Sequence, residues 1–180
     1  ITKEEKMANN FYKLALGGIF AIIVIGAYMA FTGYANDVYP LDQSVGFLDR
    51  IVATSDPQTI IADINSIKAN LPETGNPVWI FPTDSTNFAR IQADLDTMLI
   101  SAEKIAAVPT DSAAYHTGML DINSRAVLIQ ENIADAIPYM YVSFSNIIFS
   151  SIWIAAILGI FAVLNKKKQK MQEYDVSQDV

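Results

Sequence analysis

Cysteine is absent from this 180-residue sequence, and histidine occurs once, as His116. The lack of cysteine excludes disulfide bonds, thiolate metal sites and cysteine nucleophiles. The sequence also has no Glu-x-x-His pair, zinc-hydrolase motif, phosphate-binding loop or dinucleotide-binding loop, which excludes a helical di-iron site and the common nucleotide sites. These absences predict a protein that is not an enzyme and that binds no cofactor or metal of its own.

Copper(I) binding by methionine is an alternative that the composition leaves open. Methionine sulfur is a soft ligand, and Met98, Met119 and Met140 could serve outside the cell. Met98 and Met119, however, fall at core positions of predicted helices, where methionine commonly fills gaps. His116 follows the core position Tyr115 and lies on the flank of its helix, which is typical of a solvated side chain.

Charged residues are missing from two long runs, residues 14–31 and residues 142–164. A bilayer core about 30 Å thick needs about 20 helical residues, so both runs predict transmembrane helices, at residues 14–34 and 141–164. Lysines before the first run and Gly33-Tyr34-Ala35 after it also suit a cleaved signal peptide. Because this run exceeds the 7–15 apolar residues typical of a signal peptide, we expect it to be retained.

Basic residues predict the orientation of the chain. They precede the first run and follow the second run, at Lys3, Lys6, Lys13, Lys166, Lys167, Lys168 and Lys170. Because such residues stay in the cytoplasm, segments 1–13 and 165–180 are predicted to be cytoplasmic. Residues 35–140 are then an extracytoplasmic domain of a cell-membrane protein. Five basic and fourteen acidic residues lie between the two runs, a balance that argues against nucleic acid as a partner.

The central segment carries signals for four helices and none for strands. Pro40 and Asp56-Pro57 favour helix starts, Thr83 or Asp84 favours a third, and Thr110-Asp111 a fourth. Apolar residues recur at three- and four-residue spacing after each start, for example Leu41, Val45, Leu48 and Val52 in the first. The fold class predicted is therefore all-α, with an antiparallel four-helix bundle between the two spans.

The last bundle helix has no loop signal between it and the second span. Its apolar stripe runs from Tyr115 to Ala136 in a regular four-three alternation, which is typical of coiled-coil-like packing. Pro138 should kink the helix. The bundle helix is then expected to continue into the span as one nearly unbroken helix from about residue 111 to residue 164.

Small and polar residues mark candidate contact surfaces within the spans. Small side chains at four-residue spacing let another helix approach closely, and polar groups in a span favour a protein neighbour over lipid. The second span offers Ser151, Ala155 and Gly159 together with Asn146, and the first span offers Gly18, Gly26 and Ala30. Two interpretations stay open, because these faces could pack on each other within one chain or on other membrane subunits.

A long loop, residues 71–84, adds a third candidate surface. It contains three prolines and the apolar run Trp79-Ile80-Phe81. These side chains could fold over the end of the bundle. Alternatively, Trp79 and Phe81 could form an exposed tip that contacts a partner, since exposed aromatic residues mark binding sites.

The layout of two spans around a helical bundle resembles the sensing half of chemoreceptors and sensor kinases. It departs from them after Leu164, where sixteen residues contain no kinase, relay or methylation segment. A sensor of this kind would have to act as an adaptor that signals through a partner chain.

The layout is also similar to the small helical accessory subunits of archaeal ammonia monooxygenase. In that family, membrane helices pack round the catalytic subunits and a helical part lies outside. The resemblance covers the whole chain and implies that other integral membrane subunits are the partners and hold the metals. The predicted function is therefore a non-catalytic accessory subunit of a membrane complex, with the sensor or adaptor as the alternative.

Overall fold

The computed structural model describes the backbone of residues 3–178 and the side chains of residues 10, 11 and 13–170. The outer ends of the predicted cytoplasmic segments 1–13 and 165–180 therefore lie outside the described residues. The regular structure of the described residues is helical and includes no strand, which confirms the all-α prediction. The chain divides into two compact units, an apolar unit of Ile1–Thr32 with Phe144–Val180 and a central unit of Gly33–Ser143.

The central unit begins with a π-helical turn, Tyr34–Val38, and contains the four helices that the sequence predicts. They are α2 (Tyr39–Ala53), α3 (Pro57–Asn70), α4 (Phe88–Ala106) and α5 (Ala113–Tyr141). Helix α2 packs on α3 and α5, and α4 packs on the same two helices. Their apolar stripes meet in one core that includes Leu48, Ile64, Leu95, Ile122 and Ile129.

The stripe of α2 differs by one position from the prediction. Ile51 is buried and Val52 is exposed, whereas the sequence pattern placed Val52 inside. The buried positions run Leu41, Ser44, Leu48 and Ile51, which is still a regular helical face. A serine fits this face because its hydroxyl donates to the Pro40 carbonyl at 2.8 Å. Buried polar groups are tolerated when they are paired in this way.

Two helices of the central unit start later than predicted. Helix α4 is capped by Asn87, whose side chain accepts from the Ala89 amide at 3.0 Å, and not by Thr83 or Asp84. Helix α5 is capped by Ser112, one residue after the predicted Thr110-Asp111. The Thr83 hydroxyl, which is the group that would cap a helix, instead lies 3.0 Å from the hydroxyls of Ser85 and Thr86.

The nearly unbroken helix predicted from about residue 111 to residue 164 has an interruption of two residues. Helix α5 ends at Tyr141, and α6 (Phe144–Gln178) begins after Val142 and Ser143. Pro138 lies inside α5, so the break falls four residues beyond it. The Val142 carbonyl, which a continuous helix would pair internally, instead accepts from the indole N–H of Trp79 at 3.2 Å. This bond satisfies a carbonyl that a helix end leaves unpaired.

The apolar unit contains α1 (Lys3–Gly33) and α6. The helical runs Lys13–Ala53 and Ala113–Lys170 each contain a segment long and apolar enough to cross a membrane. No part of either segment is buried within the described chain. The core helix of a soluble protein would be mostly covered, so these two segments expose an apolar surface that their own chain does not cover.

Candidate interaction surfaces

Helices α1 and α6 touch each other at Trp153. The indole N–H of Trp153 donates to the Ile22 carbonyl at 3.2 Å. A methyl group added to Gly26 would lie 2.9 Å from Cζ2 of the same ring, so the indole occupies the space that this glycine leaves. Near the other end of the pair, Lys167 Nζ lies 5.6 Å from the centroid of the Phe11 ring. Gly26 therefore serves a contact inside this chain.

The partly covered positions of both helices follow three- and four-residue spacing. They include Gly18, Ile22, Gly26 and Met29 on α1, and Asn146, Trp153, Ile157, Ile160 and Leu164 on α6. Gly18 belongs to this side, although a methyl group added there would meet no atom within 4 Å. Ala30 is exposed and lies off it. Two of the three predicted positions of α1 thus share the covered side.

The small-residue stripe of α6 lies on a different face. Ser151, Ala155 and Gly159 are all exposed, and a methyl group added to Gly159 would meet no atom within 4 Å. The Ser151 hydroxyl donates to the Ile147 carbonyl of its own helix at 2.8 Å, so it needs no other partner. Asn146 is half-buried in the first turn of α6. The chain's own α1 therefore leaves the stripe uncovered.

The aromatic loop has a hydrogen-bonded base and an exposed tip. Asn76 ties the base together, because its amide group bonds the Thr83 carbonyl at 2.7 Å, the Val78 N–H at 2.9 Å and the Thr86 hydroxyl at 3.0 Å. Val78 and Thr86 are buried. At the tip, Trp79, Ile80 and Phe81 are 52%, 61% and 82% exposed. The Trp79 bond to Val142 places this tip beside the end of α5.

Sequence reasoning missed a charged contact between α2 and α3. Asp63 is only 1% exposed, and Arg50 Nε donates to its Oδ2 atom at 2.6 Å. The hydrogen bond to Asp63 raises the pKa of the Arg50 guanidinium. A signal was present, because Asp63 follows the core residue Ile60 by three positions and so shares its face. A buried carboxylate needs such a partner, so the contact is structural.

The candidate metal ligands of the sequence lie in different surroundings. No group of three His, Asp or Glu side chains within the described part of the chain is arranged to hold a metal ion. His116 is exposed and stacks edge-on against Tyr115, with ring centroids 5.9 Å apart. Met98 and Met119 are buried in the core of the central unit. These two methionines therefore act as packing residues.

Comparison with known proteins identifies no relative. No family model, curated protein or solved structure matches the chain. The function is therefore inferred from the surfaces described above.

Proposed function

We propose that this protein is a non-catalytic accessory subunit of a multi-subunit membrane complex. In this proposal α1 and α6 cross the cell membrane, both termini are cytoplasmic, and the central unit is an antiparallel four-helix bundle outside the cytoplasm. Lysines on the outer flanks of both spans support this orientation. The partners are other integral membrane subunits and the bilayer, with neither nucleic acid nor a small-molecule substrate of its own.

The observation that carries the proposal is the uncovered stripe Ser151-Ala155-Gly159. In a bilayer, helices associate through close packing and not through the hydrophobic effect, so small residues mark where a neighbour approaches. Trp153 directs a different face of α6 toward α1, which leaves this stripe for a helix from another chain. The layout makes archaeal ammonia monooxygenase our candidate for the complex, with ammonia oxidation carried out by its other subunits.

The experiment replaces Ala155 and Gly159 together by Ile in the affinity-tagged full chain. Each new side chain would hold a neighbouring helix away from α6, which close small-residue packing cannot absorb. We expect the subunits that co-purify with the wild type in mild detergent to be lost. The matched control is Ile154→Leu with Leu158→Ile, which changes exposed large residues of α6 for others of equal volume and should keep the partners.

Three results would contradict the proposal or part of it. If the stripe variant co-purifies its partners in full yield, the stripe is not the docking face. If the control variant loses them too, the effect is not specific to small residues. If the wild-type chain is extracted alone, the accessory-subunit function fails and an adaptor that signals through a transient partner becomes the better account.

A further inference from the structure

Three uncharged segments of this chain converge on one end of the central unit. Residues 14–36 and 136–165 contain no charged side chain, and each extends beyond its apolar helix into the central unit. The third segment, residues 74–83, is the aromatic loop. Trp79 of this loop bonds to Val142, which lies two residues before α6 begins.

The same end of the central unit is rich in exposed aromatic side chains. The π-helical turn after α1 packs against α5, and Tyr34 of this turn interacts with Tyr141 at the end of α5, so the chain enters and leaves the central unit close together. The rings of Tyr34 and Tyr39 lie 6.2 Å apart within the entry segment. The exposed aromatic residues of the two connections and the loop are Tyr34, Tyr39, Trp79, Phe81, Tyr139 and Tyr141. Tyrosine and tryptophan concentrate where a membrane meets water, because one part of each side chain is apolar and another is polar.

The path along the chain from the loop contact to the second span is short. The indole nitrogen of Trp79 is 3.2 Å from the Val142 carbonyl, and two residues extend by at most about 7 Å. The loop contact therefore lies within roughly 10 Å of the first residue of α6 along this path. The polar layer on each side of a bilayer core is about 5–8 Å thick. Val142, which holds the loop, is also the first residue of the apolar run that the proposed function places in the membrane.

We propose that the loop tip Trp79-Ile80-Phe81 inserts into the headgroup–acyl boundary of the bilayer and anchors the central unit to it. The base of the loop is held by the Asn76 hydrogen bonds, so the tip is presented outward by a structured turn. Insertion would bury three apolar side chains that the central unit leaves exposed, while the Trp79 N–H keeps its bond to Val142. Since the segment is uncharged, it needs no anionic lipid.

This inference rests on the proposed membrane crossing of α6, and not on the proposed accessory-subunit function. The inference also bears on whether the loop folds over the end of the bundle or forms an exposed tip that contacts a partner. Trp79 contacts the end of the bundle, but the tip faces lipid and is not available as a protein contact.

The test uses the absence of cysteine from the chain. Phe81→Cys is made in the full-length protein, labelled with a nitroxide and reconstituted in phosphatidylcholine vesicles. Two matched positions calibrate the measurement. Leu120→Cys replaces another exposed apolar residue, 21 positions before Tyr141 on α5 and thus about 30 Å along that helix. Ile154→Cys labels an exposed position in the middle of the apolar run of α6.

Collisions of the nitroxide with oxygen, which concentrates in lipid, and with a water-soluble nickel chelate report its depth. We expect the label at residue 81 to be several times less accessible to nickel than the label at residue 120. It should also be less accessible to oxygen than the label at residue 154. Ile80→Cys is a second probe that leaves Trp79 and Phe81 in place, and it should give the same ranking.

Several outcomes would overturn the inference, and they differ from one another. Equal nickel accessibility at residues 81 and 120 would place the loop in water. Protection from both reagents, with spectral broadening that increases with protein density, would show that a second copy covers the loop. Nickel access at residue 154 would show that α6 does not cross the membrane. The accessory-subunit function is tested separately by co-purification, so its failure would leave this ranking unchanged.

Discussion

Asp56 lies just before α3, where the first backbone N–H groups of the helix have no acceptor inside it. Its carboxylate accepts from the Thr59 hydroxyl at 2.6 Å, the Thr59 amide at 3.1 Å and the Gln58 amide at 3.2 Å. These bonds lower the pKa of Asp56, the Thr59 hydroxyl contributing most. Pro57 follows and needs no donor, so this position fixes the start of α3.

The Asp56 cap should make the stability of the central unit depend on pH. A carboxyl group whose pKa is lowered by folding stabilises the fold above its unfolded pKa, about 3.9. That contribution disappears as the pH falls through the lower, folded pKa. Asparagine caps a helix without ionising. We therefore expect the fall in unfolding free energy below about pH 5 to be shallower in Asp56→Asn than in the wild type.

The measurement is denaturant unfolding of the full chain in mild detergent, followed by circular dichroism from pH 7 to pH 2. Asp111→Asn is the matched control, because it removes an exposed carboxylate and leaves Ser112 as the cap of α5. The control should keep the wild-type pH dependence. Identical curves for Asp56→Asn and the wild type would show that the cap does not contribute.

Two helix glycines of the central unit differ in the space beside them. Gly46 lies on the exposed side of α2, where an added methyl group would meet no atom within 4 Å. Gly118 lies in α5, where the same methyl group would lie 2.8 Å from Ile105 Cγ1. The Ile105 side chain of α4 thus occupies the space that Gly118 leaves on α5.

The two alanine substitutions should therefore act in opposite directions. Gly46→Ala should raise the unfolding free energy by about 0.5–1 kcal/mol, because glycine is a poor residue for a helix interior. Gly118→Ala gains the same helix propensity but overpacks the core against Ile105, which typically costs about 1–3 kcal/mol. Denaturant unfolding of each variant measures the effect, and an equal increase in both would contradict the close approach of α4 and α5.

Local signals in the sequence predicted the helices and most of their core residues. The prolines, the cap residues and the three- and four-residue spacing all act within one helix, so they are readable without a structure. The starts of α4 and α5 and the break before α6 were missed. At the break, the Val142 carbonyl bonds to Trp79, which is 63 positions away in the sequence. Before α4, Asn76 bonds to the Thr83 carbonyl across the loop. Such contacts exist only after folding.

The sequence predicted which small residues of the apolar helices could make contacts. It did not predict which of them pack within this chain. Gly26, Ala155 and Gly159 are equally small in the sequence, and spacing alone gives no reason to separate them. The structure places Gly26 against Trp153 and leaves Ala155 and Gly159 uncovered. Pairing between helices depends on which residue of one meets which residue of the other, and a single sequence does not specify this.

At the scale of the whole molecule, the proposed function specifies one topology. The chain must cross the membrane through α1 and α6, with the central unit outside and both ends inside. Both proposals require α6 to cross the membrane, because the stripe could not otherwise meet other membrane helices and the aromatic loop could not otherwise lie at the bilayer surface.

Single-cysteine labelling of intact cells tests this topology directly. Thr97→Cys places a thiol on the exposed side of α4, and Gln169→Cys places one after the lysines that follow the second apolar run. A membrane-impermeant maleimide should label residue 97 in intact cells and residue 169 only after the membrane is permeabilised. Labelling of residue 169 in intact cells, with residue 97 protected, would contradict the account.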